Sequence, residues 1–180
     1  NLGILMFLWI AASFNLYMIS FYMKYIPGNI FVTTLTSSLG DIPLSIGGGF
    51  LYYFKGIRIA MTVFLICSIA GAVSIITWAK FESVAFLIPV VVLFTRSGIK
   101  CTFDSCYLAN ATIFPAIFSG TAFGFCNLGA KIITIFSPLT AEVKDPVPMI
   151  IFASLAAVAL VLVQFIQAPP REKHVVEKTI

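Results

Sequence analysis

A chain of 180 residues that is 60% hydrophobic and only 10% charged, with a mean hydropathy of +1.05, has too little polar surface to coat a water-soluble globule. The net charge of +4 does not point to nucleic acid, because the eleven Lys and Arg are scattered singly and form no basic run or basic-aromatic patch. Lipid is the expected solvent, and an all-α membrane protein the expected class.

The chain enters an apolar stretch directly at Asn1, with neither the basic start nor the cleavage site of a signal peptide, so a segment of a longer, processed or incompletely read polypeptide is expected. A first span runs over 2–22 and stops at Lys24 to Gly28. The second, 29–53, contains Asp41-Ile42-Pro43 and Gly47-Gly48-Gly49 and ends at the basic turn Lys55 to Arg58. The third, 58–79, stops at Lys80 to Glu82, and the fourth, 83–109, carries Arg96, Lys100 and Asp104 up to the break Asn110 to Ala116. The fifth, 117–140, holds Gly120, Gly124, Gly129, Lys131 and Pro138, and is followed by Glu142 to Pro148. The sixth covers 147–168, leaving 169–180 as a polar tail. Each window has at least the roughly 20 residues that cross about 30 Å of hydrocarbon. The short breaks make successive helices antiparallel neighbours in a six-helix bundle over 1–168.

Six crossings set both termini on one side, with Lys55, Arg58, Arg171, Lys173 and Lys178. The other side has Lys24, Lys80 and Lys144 beside Glu82, Glu142 and Asp145. The positive-inside rule then assigns the termini to the cytoplasm or its equivalent, such as the mitochondrial matrix, in either the plasma membrane or an organelle such as the mitochondrial inner membrane. The helix-weakening residues fall in corresponding spans, the second and the fifth. Two inverted three-helix repeats would produce that pattern, and so would small residues placed for close helix packing.

Five ionisable groups lie at depth: Asp41, Arg96, Lys100, Asp104 and Lys131. Each costs about 2.5 to 3.5 kcal/mol at a span centre, so all must face protein or water. Arg96, Lys100 and Asp104 recur every four residues, which aligns them on one helix face and lets Lys100 reach Asp104. The stripe is either an internal ion-pair ladder with partners such as Asp41, or the polar wall of a substrate path. Lys131 has no acid within a helical turn in sequence, and either pairs across helices or meets an anionic group in a cavity. Cys67, Cys101, Cys106 and Cys126 contain no CxxC pair and lie far from the one histidine, His174, so they read as small core residues and no metal site follows. No Ser-His-Asp set or phosphate-binding glycine loop is present, so neither an enzyme nor a cofactor is expected. Asn110-Ala111-Thr112 is a glycosylation sequon on the cytoplasmic side of this topology, where chance accounts for it.

A set of short segments has a more specific likeness: Phe14-Asn15-Leu16-Tyr17, Asp41-Ile42-Pro43, Lys55-Gly56-Ile57-Arg58, Arg96-Ser97-Gly98-Ile99, Tyr107 to Pro115, and Gly129-Ala130-Lys131 with Ser137-Pro138-Leu139. Together, over nearly all of the chain, they resemble the C-terminal six-helix half of a major facilitator superfamily transporter, nearest the organic cation and anion transporter branch. Asn15 and Tyr17 look like the Asn-x-Tyr of that branch's seventh helix, and Asp41 to Pro43 like the acid-x-Pro of the eighth. Lys55 and Arg58 sit where the family has a short basic loop, Arg96 at the basic position of the tenth helix, and Lys131 where the eleventh carries a charge that helps choose substrate sign. The resemblance implies that Asp41, Arg96 and Lys131 line a cavity, and Lys131 inclines it toward organic anions. It also marks departures: Tyr53 or Phe54 replaces the acid before the basic loop, Thr112 a Glu, Ser119 an Arg and Ala116 a Thr. Those charges belong to the family's cytoplasmic gating network, much of which is therefore missing.

Two functions follow as expectations. One is the C-terminal half of a secondary transporter for small organic ions, working by alternating access against a partner six-helix half, with Asp41, Arg96, Lys100, Asp104, Lys131, Asn15 and Tyr17 as cavity candidates. The other is a transporter-derived structural subunit that packs with other membrane subunits and transports nothing.

Overall fold

The structure is a computed structural model that describes residues 1–26, 30–78 and 87–167. The loop carrying Lys80 and Glu82 and the tail carrying Arg171, Lys173, His174 and Lys178 lie outside the described residues. So do Gly28, the first residues of the windows at 29 and 83, and the last residues of those ending at 79 and 168.

The described residues are helical, with no strand among them: α1 (Leu2–Tyr22, prolonged by a 3-10 turn at Met23–Tyr25), α2 (Ile30–Lys55), α3 (Ile57–Trp78), α4 (Ile88–Ile113), α5 (Ala116–Thr134), α6 (Ser137–Ala141) and α7 (Val147–Val163). Among the described residues, three segments are long and apolar enough to cross a membrane: Leu2–Tyr25, Ile57–Thr77 and Ala116–Thr134; α7 is a shorter apolar helix. Such helices fit an integral membrane protein. The 26 residues of α2 and of α4 each reach about 39 Å at 1.5 Å per residue, but both carry polar stripes that dilute their apolar character.

Local chemistry explains the boundaries. Gly56, at φ 87°, occupies the left-handed region that L side chains avoid, and its N–H donates to the Tyr52 carbonyl at 2.9 Å, so α2 turns into α3 within one residue. Pro115 drives Phe114 into extended backbone (φ −102°, ψ 138°), which ends α4 and starts α5. The fifth window, expected as one helix over 117–140, divides. Pro138 has no N–H to offer the Thr134 carbonyl and its ring crowds that residue, and Thr134 is where α5 stops. Pro43 removes one helix hydrogen bond from α2 without ending it.

Cross-helix contacts fix the helix directions. Trp9 meets Phe123, a Cβ on Gly129 would touch Ile10, and Ser13 meets Thr134, so α1 and α5 run parallel. Ser97 meets Asp41, Lys100 meets Ser45 and Thr112 meets Tyr52, so α2 and α4 run parallel as well. Asn15 reaches Phe152 while Tyr22 reaches Asp145, which makes α7 antiparallel to α1; Arg58 with Ile166 and Thr62 with Gln164 make it antiparallel to α3. The Ser68 hydroxyl donates to Thr95 O, while Gly98 lies against Phe64, which makes α3 and α4 antiparallel. Helix direction therefore alternates along α1, α2, α3, α4, α5 and α7. One end of the bundle gathers Asn1, Gln167, Arg58 and the Gly56 turn; the other joins Lys24 to Glu142 at 3.2 Å and Tyr22 to Asp145 at 2.5 Å.

The core sits among α1, α3, α4 and α7, where Leu5, Trp9, Met18, Met61, Leu65, Val92, Ile99 and Phe152 are fully enclosed. α2 and α5 flank it and present apolar outer faces, with Leu35, Leu39, Ile46, Leu128 and Ile132 all more than half exposed. Gly98 lets α3 and α4 approach closely. A methyl group there would lie 2.7 Å from the Phe64 carbonyl oxygen and 2.5 Å from Ser68 Oγ. Gly98→Ala is therefore expected to destabilise the bundle by about 1 to 3 kcal/mol, because the first obstacle is backbone and cannot swing aside. A thermal unfolding midpoint in detergent equal to that of the parent protein would contradict this.

Candidate functional site

Spacing of four on two parallel helices builds the first half of the site. Ser37, Asp41 and Ser45 lie along one face of α2, opposite Arg96, Lys100 and Asp104 on α4. Arg96 Nη2 stands 3.6 Å from Asp41 Oδ2, and the Ser97 hydroxyl donates to Asp41 Oδ1 at 3.0 Å. One turn on, Lys100 Nζ donates to Ser45 Oγ at 2.9 Å, Ser45 Oγ donates to Asp104 Oδ2 at 3.1 Å, and Lys100 lies 3.9 Å from Asp104. The two levels differ in depth. The Asp41 side chain is 9% exposed and that of Arg96 18%, whereas Asp104 is 47% exposed. Arg96 Nε and Nη1 are buried and, like Ser37 Oγ, find no hydrogen-bond partner among the described residues. Buried donors in that state call for water or a bound acceptor.

The second half lies between α1 and α5. Lys131 Nζ is 3.5 Å from the Tyr17 hydroxyl and 5.4 Å from the centre of its ring. Lys131 is exposed and makes no ion pair with an acid among the described residues. Tyr107 of α4 packs against Phe123 of α5, 5.7 Å between ring centres. Behind it lies an aromatic floor drawn from three helices. Trp9 of α1 meets Tyr107 at 4.5 Å, Phe123 of α5 at 5.4 Å and Phe103 of α4 at 6.3 Å between ring centres. In the helix interiors two acids, Asp41 and Asp104, face three bases, Arg96, Lys100 and Lys131, which leaves one positive charge over.

Of the residues expected at a cavity, Asp41, Arg96, Lys100 and Asp104 form one group, and Lys131 with Tyr17 a second one. Asn15 turns away from both. It is fully buried and its amide donates to the Phe152 carbonyl of α7 at 3.1 Å. Lys55 and Arg58 stay outside the cluster at the Gly56 end, where Arg58 Nε donates to the Ile166 carbonyl at 2.7 Å. Trp9, Phe103, Phe123, Ser45 and Ser97 carried no local signal strong enough to mark them. The Ser37-Asp41-Ser45 spacing did carry one, and it matches the stripe on α4.

At the α4–α5 turn, Asn110 Nδ2 donates to both the carbonyl and the hydroxyl of Ser119 at 3.0 Å, and Thr112 meets the Tyr52 hydroxyl at 3.1 Å. Neutral hydrogen bonds thus occupy the positions where the resembled family has charges. Asn110 is only 4% exposed, so its sequon is closed to a modifying enzyme in the folded chain. Cys101, Cys106 and Cys126 are buried and Cys67 exposed, all as free thiols, and no group of three metal-ligating side chains occurs among the described residues.

Comparison with known proteins gives a distant likeness. The chain is 23% identical to organic anion transporter 3 of Oryctolagus cuniculus over 151 residues, which are 82% of this chain and 28% of that protein. The likeness is to a transporter. A shorter match, 36% identical over 69 residues, links 37% of the chain to 14% of an uncharacterized protein of Caenorhabditis elegans. The chain thus spans less than a third of the length of either relative. No family model matches it. At this distance the similarity suggests a transporter role.

Proposed function

We propose that this chain is the C-terminal six-helix half of a secondary transporter for small monovalent organic anions, moving substrate by alternating access against a partner half. The observation that carries the proposal is Lys131: an exposed cation in the last turn of apolar α5, within the span that α6 completes, held by Tyr17 and lacking an acidic partner among the described residues. A cation at that depth costs about 2.5 to 3.5 kcal/mol unless it faces water or meets an anion. Arg96 and Lys100 are offset by Asp41 and Asp104, so the surplus charge is one, which favours a single carboxylate or its equivalent. Tyr107 and Phe123, both partly exposed, offer ring faces to the body of such an anion, with Trp9 buried beneath them. The named relative is an organic anion transporter, which supports the same sign of charge.

Helix packing supports the half-transporter architecture. α1 packs on α4 and α3 on α7, while the pairs α1 with α5 and α1 with α7 have counterparts in α4 with α2 and α4 with α3. Exchanging α1, α2, α3 for α4, α5, α7 reproduces these contacts and reverses every helix direction, as expected of two inverted three-helix repeats. The alternating directions accord with six crossings by α1 to α5 and α7, with α6 completing the fifth. The end holding Lys55 and Arg58 then faces the cytoplasm or matrix.

A second reading, a transporter-derived structural subunit, is favoured by one observation: the uncharged Asn110–Ser119 and Tyr52–Thr112 contacts at the turn between the fourth and fifth spans. The test is uptake into proteoliposomes by the full polypeptide with its natural partners, using a labelled aromatic monocarboxylate and a labelled quaternary ammonium. Saturable uptake of the carboxylate is expected. Uptake of neither, with recovery of the chain in an unrelated membrane assembly, would replace transport with scaffolding.

A further inference from the structure

We infer that the groove between α3 and α7 holds an acyl chain of one anionic phospholipid whose phosphate rests on Arg58. The groove has a volume of about 380 Å³ and is lined by Thr62, Ile66, Leu160, Val161, Gln164 and Phe165. Its walls are almost wholly apolar carbon. Thr62 Oγ1 and Gln164 Nε2 lie in the lining but bond to each other across it at 2.9 Å, so neither needs water. That surface suits hydrocarbon. Arg58 precedes Thr62 and Ile66 by one and two turns, which sets the guanidinium on the same stripe of α3 as the groove and at its end. Only Nε of Arg58 is engaged, by the Ile166 carbonyl; of the five N–H donors of a guanidinium, four have no partner among the described residues. Lys55 stands exposed three residues earlier, across the Gly56 turn, and adds a second positive charge at the same end. An apolar slot closed by a fork of donors at the water boundary matches the two halves of an anionic lipid, chain and phosphate. A neutral zwitterionic headgroup gains less there, because its own cation opposes the two bases.

The inference rests on the membrane reading and is independent of transport. The full polypeptide, purified in a mild detergent, is incubated with an equimolar mixture of phosphatidylglycerol and phosphatidylcholine, and lipid adducts are counted by native mass spectrometry. Enrichment of phosphatidylglycerol by roughly fivefold is expected, the ratio given by about 1 kcal/mol for a basic residue near a charged surface. Arg58→Gln is expected to abolish the enrichment. Thr62→Trp, which leaves Arg58 in place and fills the groove, is expected to remove the bound lipid, while inorganic phosphate added alone forms no stable adduct. Equal adducts of the two lipids, or an enrichment unchanged in both variants, would overturn the inference. A chain released from membranes by alkaline carbonate would instead sink the membrane reading itself, so the two failures are distinguishable.

Discussion

Lys131→Ala is expected to remove most uptake of a monovalent organic anion while leaving the helical bundle intact. The side chain is exposed and its hydrogen bond is to Tyr17, so its loss opens no core cavity and strands no acid among the described residues. What disappears is the surplus cation of the helix interiors. A hydrogen bond to a charged group contributes about 1.5 to 3 kcal/mol, which corresponds to roughly 10- to 100-fold in affinity. The loss is therefore expected in KM, with circular dichroism and elution volume unchanged. Lys131→Glu goes further: it turns a surplus of one positive charge into a surplus of one negative, and is expected to favour a quaternary ammonium over a carboxylate. Wild-type uptake by Lys131→Ala, measured at substrate well below KM, would remove the central support for anion transport.

Asp41→Ala is expected to cost about 3 to 5 kcal/mol of stability, the usual penalty for leaving a buried charge without its partner. Arg96 is 18% exposed and two of its nitrogens are already unpaired, so nothing nearby among the described residues replaces the lost carboxylate, and the Ser97 hydroxyl loses its acceptor as well. Replacing both charges with apolar residues of similar volume, as in Asp41→Leu with Arg96→Met, is expected to restore most of the stability, because the desolvation cost goes with the pair. Thermal unfolding of the single and double variants in one detergent tests this. A single variant as stable as the parent would mean that the pair is solvated, and would deny it a place in the interior.

The helices were legible because each is a local property of the chain. The first apolar window, 2–22, coincides with α1, and the fourth slides by about one turn to Ile88–Ile113, its end set by Pro115 rather than by Asn110. The division of the fifth window was also written in the sequence, in Pro138, but apolarity continues through it and outweighed the missing N–H. The spacing of Arg96, Lys100 and Asp104 announced a charged stripe, and the structure pairs Arg96 with Asp41 and Lys100 with Asp104. Asn15 and Tyr17 illustrate the limit. They are two residues apart in one motif, yet a helix separates them by about 200°, sending Tyr17 toward Lys131 and Asn15 to the carbonyl of Phe152.

Composition alone determined the solvent: with one residue in ten charged, the polypeptide must hide its backbone in helices and its few ions from hydrocarbon. Only the tertiary structure decided which ion neutralises which. Asp41 with Arg96 and Lys131 with Tyr17 are contacts between residues more than fifty positions apart, and no periodicity along a single helix reports on the helix beside it. The surplus charge is thus in the sequence, but its place on an exposed face beside the Tyr17 ring comes from the way α1 and α5 pack.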